Sequence, residues 1–272
     1  MTTNLLNPKQ TNQRVLFAGD IHGNTDHAKW VFKHARENDC THIISVGDFG
    51  FWTHFESGQK FVKTVADLAQ DAQIKFLWVD GNHENHDILR GLVEHYGADK
   101  PIDTPNEWCQ YIPRGCRFLI GETSFLGYGG AYSVDWLDRQ EGISWWRDEL
   151  INPFHIDTLA NEPVDILVTH EAPYNNGEKI TYKDEIQISI AQRHLVKELL
   201  DKFTPQFHIC GHHHTRVDWT DGETEVSVLG RDTQEADSVL ILDLVTGDDE
   251  VTTDEFSFQG EKFNDLLESF VK

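Results

Sequence analysis

The stretch "RVLFAGDIHGN", residues 14–24, carries the reading on which the fold turns. Val15, Leu16, Phe17 and Ala18 form a short apolar run without alternation, the pattern of a strand buried on both faces. The turn that follows offers Gly19, Gly23 and Asn24 for the bend, and it exposes Asp20 and His22, two side chains able to bind a cation. "TDHAKWVFKHAREND" comes next, with Ala28, Val31, Phe32 and Ala35 at helical spacing and Asn24 or Thr25 as the cap.

The cycle of apolar run, polar turn and helix repeats. "HIISVGDFG" leads into "SGQKFVKTVADLAQDAQ", whose Phe61, Val62, Val65, Leu68 and Ala69 share one face. "IKFLWVDGNHE" leads into "HDILRGLVEHYG", and after residue 160 "VDILVTHEAP" and "QFHICGHHH" flank the helix "SIAQRHLVKELLDKF". Strands alternating with helices indicate an α/β layered fold, in which chemistry gathers at loops beyond the C-terminal ends of the strands. Between the two halves, "CRFLIGETSFLGYGGAY" reads as a hairpin and "DWLDRQEGISWWRDEL" as an aromatic-rich insertion. "TRVDWTDGETEVSVLG" and "SVLILDLVTGDDEVTTDEF" read as antiparallel strands closing a second sheet. The expected architecture is a four-layer α/β/β/α sandwich: two mixed β-sheets face to face, helices outside. A single domain is expected over 1–272, with 1–13 a flexible lead-in, 98–160 the hairpin and insertion, and 254–272 a C-terminal helix.

Composition narrows the function. The chain has 272 residues, 39% hydrophobic and 25% charged, as expected of a globular domain with a sizeable core. No apolar run approaches a membrane span, and the N-terminus lacks the pattern of a signal peptide, so a cytoplasmic location is expected. Cys40, Cys109, Cys116 and Cys210 show no paired spacing and are expected to be free thiols. There are 46 acidic residues against 23 basic ones, a net charge of −23. Such a surface repels a phosphate backbone, so a long nucleic acid is an unlikely partner, while a small anion remains compatible.

Five strand ends carry ligand-type residues: Asp20 and His22; Asp48; Asn82 with His83; His170; His212 and His214. Oxygen and imidazole donors without thiolate suit Mn, Fe, Co, Ni, Zn or Mg. Seven ligands exceed one ion's needs, and a carboxylate bridging two ions about 3.5–4 Å apart accounts for them. Turn chemistry alone would also place Asp, Asn and Gly in loops, but five such loops in order, each after a strand, go beyond it. His212 and His214 alternate along an extended segment and can both face metal, leaving His213 as a bystander.

The series "GDIHG", "GDFG", "GNHE", "TH" and "GHHH", spanning residues 18–214, resembles the calcineurin-like metallophosphoesterases. The resemblance implies a hydrolase with two divalent ions, manganese foremost: Asp20, His22, Asp48 and His214 on the first, with Asp48 bridging to a second held by Asn82, His170 and His212. A hydroxide between the ions would attack phosphorus in line. His83 would stand at the leaving group, donating a proton or stabilising the pentavalent state, with Glu84 or the neighbours of Asp48 orienting it. The protein serine/threonine phosphatases and dinucleoside tetraphosphatases of that family carry arginine in the second motif and just before "GNHE", where it grips a dianionic phosphate. Here the second motif reads "GDFGFWTH" and Asp80 precedes Gly81. A dianionic monoester needs those cations more than a monoanionic diester does, so a phosphodiesterase is expected.

"GGAYSVDWLDRQEGISWW" resembles the insertion of small bacterial and phage members, among which hydrolysis of cyclic nucleotides recurs. The expected substrate is a small phosphodiester or nucleotide, with His54, Tyr128, Arg139 and Trp145 as candidate contacts. A nuclease would want a basic groove, and "KHAR" and "AQRHLVK" read instead as helix faces. A metal-site scaffold for partner proteins would have lost ligands or His83, and here all are present. Trp145 and Trp146 are expected to lean toward the core. His27, His34, His42, His54, His86, His95, His155 and His194 are expected on exposed surfaces.

Overall fold

A computed structural model of the chain describes residues 13–175, 180 and 187–244. The expected C-terminal helix lies outside these residues, as does the lead-in apart from Gln13. Two six-stranded mixed sheets pack face to face. The first runs in the order β12–β1–β2–β3–β5–β4, built from β1 (Gln13–Ala18), β2 (His42–Ser45), β3 (Lys75–Trp78), β4 (Ile102–Asn106), β5 (Cys109–Tyr111) and β12 (Val239–Leu244). The second runs β10–β11–β9–β8–β7–β6, from β6 (Arg117–Ile120), β7 (Thr123–Tyr128), β8 (Ile166–Thr169), β9 (Phe207–Cys210), β10 (Val217–Asp221) and β11 (Thr224–Val228).

The period-two geometry of a strand explains the unbroken apolar runs. Val15 and Phe17 point into the layer between the sheets, where they meet Val46, Val79, Phe125, Val168 and Ile209. Leu16 and Ala18 point the other way, onto α1 (Thr25–Glu37), α2 (Glu56–Ala72) and α3 (His86–Tyr96). On the far side Leu126 and Leu167 pack against α5 (Gln187–Phe203) and α4 (Pro153–Thr158) through Val196, Leu199, Phe203 and Ile156. Four layers result. Asn24, rather than Thr25, caps α1, its side chain accepting from the amides of Asp26 and His27.

Two sequence expectations change. The last strand, β12, does not close the second sheet; it pairs antiparallel with β1, Gln13 opposite Leu244 and Ala18 opposite Val239. β1 pairs in parallel with β2 on its other side, and β12 covers the edge that would otherwise expose a row of backbone donors and acceptors. The β10–β11 hairpin does extend the second sheet. The histidines are also less exposed than expected: His27 and His86 are buried, and only His95 and His194 of that group are exposed. Each of the two buried rings lies at the start of a helix, on the face turned toward the protein.

Candidate metal centre

The strands β1, β2, β3, β8 and β9 all end at one edge of the sandwich, and the loops beyond them converge. Asp20, His22, Asp48 and His214 bring one ligand atom each to within 4.8 Å of one another, and Asp48, His170 and His212 form a second such group. Asp48 belongs to both. Asn82 joins the second, its Oδ1 standing 3.1 Å from His170 Nε2. His170 Nδ1 donates to the Val46 carbonyl at 2.9 Å, which leaves Nε2 free and 3.4 Å from Asp48 Oδ1.

The loops need unusual backbone to do this. Asp48, His22, His212 and His214 all have positive φ, between 43° and 66°. They make up four of the seven non-glycine residues with positive φ among the described residues, the clustering of strain expected at a functional site. His212 and His214 therefore face the cluster through left-handed turns rather than through an extended segment. His213 points away, as expected, yet it is no bystander: its Nε2 lies 2.7 Å from the buried Glu171 carboxylate.

Two glycines are required by close approach. A Cβ on Gly81 would lie 2.1 Å from Asp48 Oδ1, and one on Gly47, whose φ is +105°, would lie 2.3 Å from the His170 ring.

The donor set fits divalent ions. Among the described residues Asp20 Oδ2 and Glu171 Oε2 are buried without a hydrogen-bond donor, although His214 Nε2 approaches the former to 3.1 Å. A buried carboxylate oxygen in that state is costly unless a cation faces it. Burial acts to lower His170, but Asp48 beside it raises its pKa to about 10. For His22 burial is likewise outweighed by Asp48, and the pKa rises to about 9. A divalent ion bound at these nitrogens would take the place of those protons. His212 is driven down to about 4 by burial, helped by His170, and stays neutral, the ligating form.

His83 follows Asn82 at the rim, its amide donating to Asp48 Oδ1 at 3.0 Å. Glu84 does not orient it. That buried carboxylate accepts from the amides of Gly50 and Gly81 at 2.9 and 2.5 Å, tying two motif loops together. The partner of His83 is Arg139, whose Nη2 lies 2.7 Å from its Nε2. Arg139 also pairs with Asp135 at 2.7 Å. Of the other candidate contacts, Trp145 is half-buried with its indole on Glu149, and His54 links Asn85 to the Ile143 carbonyl. Tyr128 is 1% exposed, its hydroxyl meets His155, and it packs in the core rather than lining the cluster. Trp146 is buried, as expected of a core residue. All four cysteines are buried and free.

A family model for calcineurin-like phosphoesterases matches residues 13–216. The chain belongs to this family. The phosphoesterase is thus a member of a metal-dependent family that uses a binuclear divalent centre, and its two residue groups sharing Asp48 suit such a centre. Among solved structures, TT1561 of Thermus thermophilus is similar with a TM-score of 0.54 at 14% identity, over 86% of this chain and 99% of that one. The phosphopantetheinyl hydrolase PptH of Mycobacterium tuberculosis is similar with a TM-score of 0.50 at 12% identity, over 86% and 97% of the two chains. At such identities the likeness is one of fold. No curated protein matches the phosphoesterase in sequence. No described helix is long and apolar enough to cross a membrane.

Several residues at the centre escaped the sequence reading. Glu171 stood beside His170 and could have been noticed by adjacency. Asp232, 3.5 Å from His22 Nδ1, and Ser133, 3.0 Å from Asn82 Nδ2, come from distant segments with no motif to mark them.

Proposed function

We propose that the phosphoesterase hydrolyses small phosphodiesters, cyclic nucleotides foremost, using a pair of manganese ions. The observation that carries this reading is the cation supply beside His83. Asp80, where the protein phosphatases and dinucleoside tetraphosphatases of the family have arginine, is buried; it accepts from Tyr111 and from Arg114, whose Nη2 stands at 2.6 Å. Arg139 reaches His83 from the insertion instead, with its charge shared by Asp135. One partly neutralised guanidinium suits a monoanion better than a dianion.

Two divalent ions held by Asp20, His22, Asp48, Asn82, His170, His212 and His214 would supply positive charge to the phosphoryl oxygens and acidify a water. The protein's own share is positional. Asp48 fixes the spacing of the two sites, and Arg139, whose Nη2 meets His83 Nε2, would present charged N–H donors to the leaving ester oxygen. Trp136, 39% exposed and packed on Trp145, lies on the loop carrying Arg139 and offers an apolar surface to a base. The surface charge and the four buried thiols accord with a small substrate in a reducing, cytoplasmic setting.

The test compares bis-p-nitrophenyl phosphate with p-nitrophenyl phosphate, using protein stripped by chelator and reloaded with Mn²⁺. A clear preference for the diester is expected, followed by turnover in a panel of 3′,5′- and 2′,3′-cyclic nucleotides. Equal or faster turnover of the monoester would overturn the diester reading.

A further inference from the structure

Ser133 and Glu149 lie in the insertion, belong to none of the five motifs, and are 1% and 0% exposed. We infer that Ser133, clamped by Glu149, orients Asn82 and thereby sets the strength of the second metal site. The inference rests on Asn82 being a ligand there.

The argument is donor and acceptor accounting. A serine hydroxyl has one proton and two lone pairs. Ser133 Oγ donates to Glu149 Oε2 at 2.9 Å. Glu149 Oε1 receives the Ser133 amide and the Trp145 indole, both at 2.9 Å, so two N–H groups and the serine O–H converge on this carboxylate. With its proton committed, Oγ can only accept. Two groups use it: Asn82 Nδ2 at 3.0 Å and Arg139 Nη1 at 3.1 Å. The Asn82 amide nitrogen is thus fixed toward the insertion, and its Oδ1 is turned toward His170 Nε2, 3.1 Å away. Reversing the amide would set its oxygen against an oxygen with no proton to offer. Polarity passes from Glu149 through Ser133 to Asn82, and the same hydroxyl steadies the guanidinium that meets His83.

Glu149→Gln is the sharp variant because it keeps shape and reverses polarity. Its amide nitrogen cannot face the two N–H groups at the Oε1 position, so it must face Ser133 Oγ. The serine proton is then released toward Asn82, which favours the flipped amide. Removing a partner of this kind weakens metal affinity by about 10–100-fold.

The experiment titrates Mn²⁺ into the full chain and its Glu149→Gln, Ser133→Ala and Asn82→Ala variants. Electron paramagnetic resonance separates an exchange-coupled pair from a lone ion, and circular dichroism checks folding. Asn82→Ala should lose the coupled signal. Glu149→Gln and Ser133→Ala should bind the second equivalent at least about tenfold more weakly while keeping the first within about twofold. If Asn82→Ala loses coupling while either folded partner variant keeps wild-type affinity for the second ion, the inference is overturned and the ligand reading stands. If Asn82→Ala itself keeps the coupled pair, the ligand reading fails and takes the inference with it. Should one partner variant not fold, the other decides.

Discussion

Nη2 of Arg139 lies 2.7 Å from Nε2 of His83. A guanidinium only donates, so Nε2 accepts and the imidazole proton resides on Nδ1. Burial lowers the His83 pKa against the raising effect of Asp48, and Arg139 and His22 add to the lowering, which favours the neutral ring. In this arrangement His83 does not donate from Nε2; Arg139 is the charged N–H donor at that atom. Arg139→Ala is therefore expected to raise KM for a diester about tenfold or more, since a hydrogen bond to a charged group contributes roughly 1.5–3 kcal/mol. Arg139→Lys keeps the charge without the fork and should recover part of the loss. Steady-state kinetics at saturating Mn²⁺ gives the answer; an unchanged KM in Arg139→Ala would remove the arginine from the substrate site.

Sharing of Asp48 predicts how metal is lost. His214→Ala should leave one ion per chain, held by Asp48, His170, His212 and Asn82. His212→Ala should leave the other, held by Asp20, His22, Asp48 and His214. Asp48→Asn should weaken both, because the bridging oxygens serve each group. Chelation should abolish turnover in the unaltered protein and Mn²⁺ should restore it. Metal content by mass spectrometry after gel filtration checks the pattern, and two ions retained in Asp48→Asn would refute the bridge.

The parts of the fold that the sequence displayed are those in which every local cue agreed. The run from Val15 to Ala18, the turn at Asp20 and the apolar face of α1 are all local, and they placed five strand ends in order. What was not legible depended on pairing between distant segments. Nothing within "SVLILDLV" states whether it joins β1 or the second sheet, since either partner would bury it. Likewise the left-handed turn at His212 is held against a distant residue: the His212 amide donates to Asp20 Oδ1 at 3.1 Å, across 192 positions. Ser133 and Glu149 were invisible for the same reason. Their role is set by Asn82, which the insertion meets only in space.

His208 supplies a prediction about stability. Its ring is fully buried in β9, with Nε2 2.7 Å from Thr169 Oγ1 and Nδ1 without a partner among the described residues. The Thr169 hydroxyl donates to the Glu171 carbonyl, so Nε2 of His208 must donate and Nδ1 keeps its lone pair. Burial alone lowers its pKa to about 3. A histidine depressed in the folded state contributes stability that is fully present above the unfolded pKa of about 6.5. That contribution is lost as pH falls from there toward 3, by up to about 1.4 kcal/mol per pH unit. His208→Gln keeps the donor to Thr169 and does not titrate. Urea midpoints from pH 7.5 to 4.5 should therefore fall more steeply in the unaltered protein than in the variant; parallel curves would show that His208 is not charged on unfolding.

Gly81 tests whether the strand-end loops tolerate any slack. The position has room for no side chain: a Cβ would stand 2.1 Å from Asp48 Oδ1 and 2.4 Å from the Asp48 amide nitrogen. Part of that contact is backbone, and it cannot swing aside as the end of a flexible side chain would. Asp48 is already held at a φ of 43°, so the loop has little freedom to accommodate a shift. Gly81→Ala should cost about 1–3 kcal/mol, in the range of overpacked interiors. It should also displace Asp48 and so weaken both ions at once, unlike His212→Ala or His214→Ala. Thermal melting of metal-free protein measures the first effect and Mn²⁺ titration the second. A variant with normal stability and two tightly bound ions would mean that the close approach of Gly81 to Asp48 is not what fixes the bridging carboxylate.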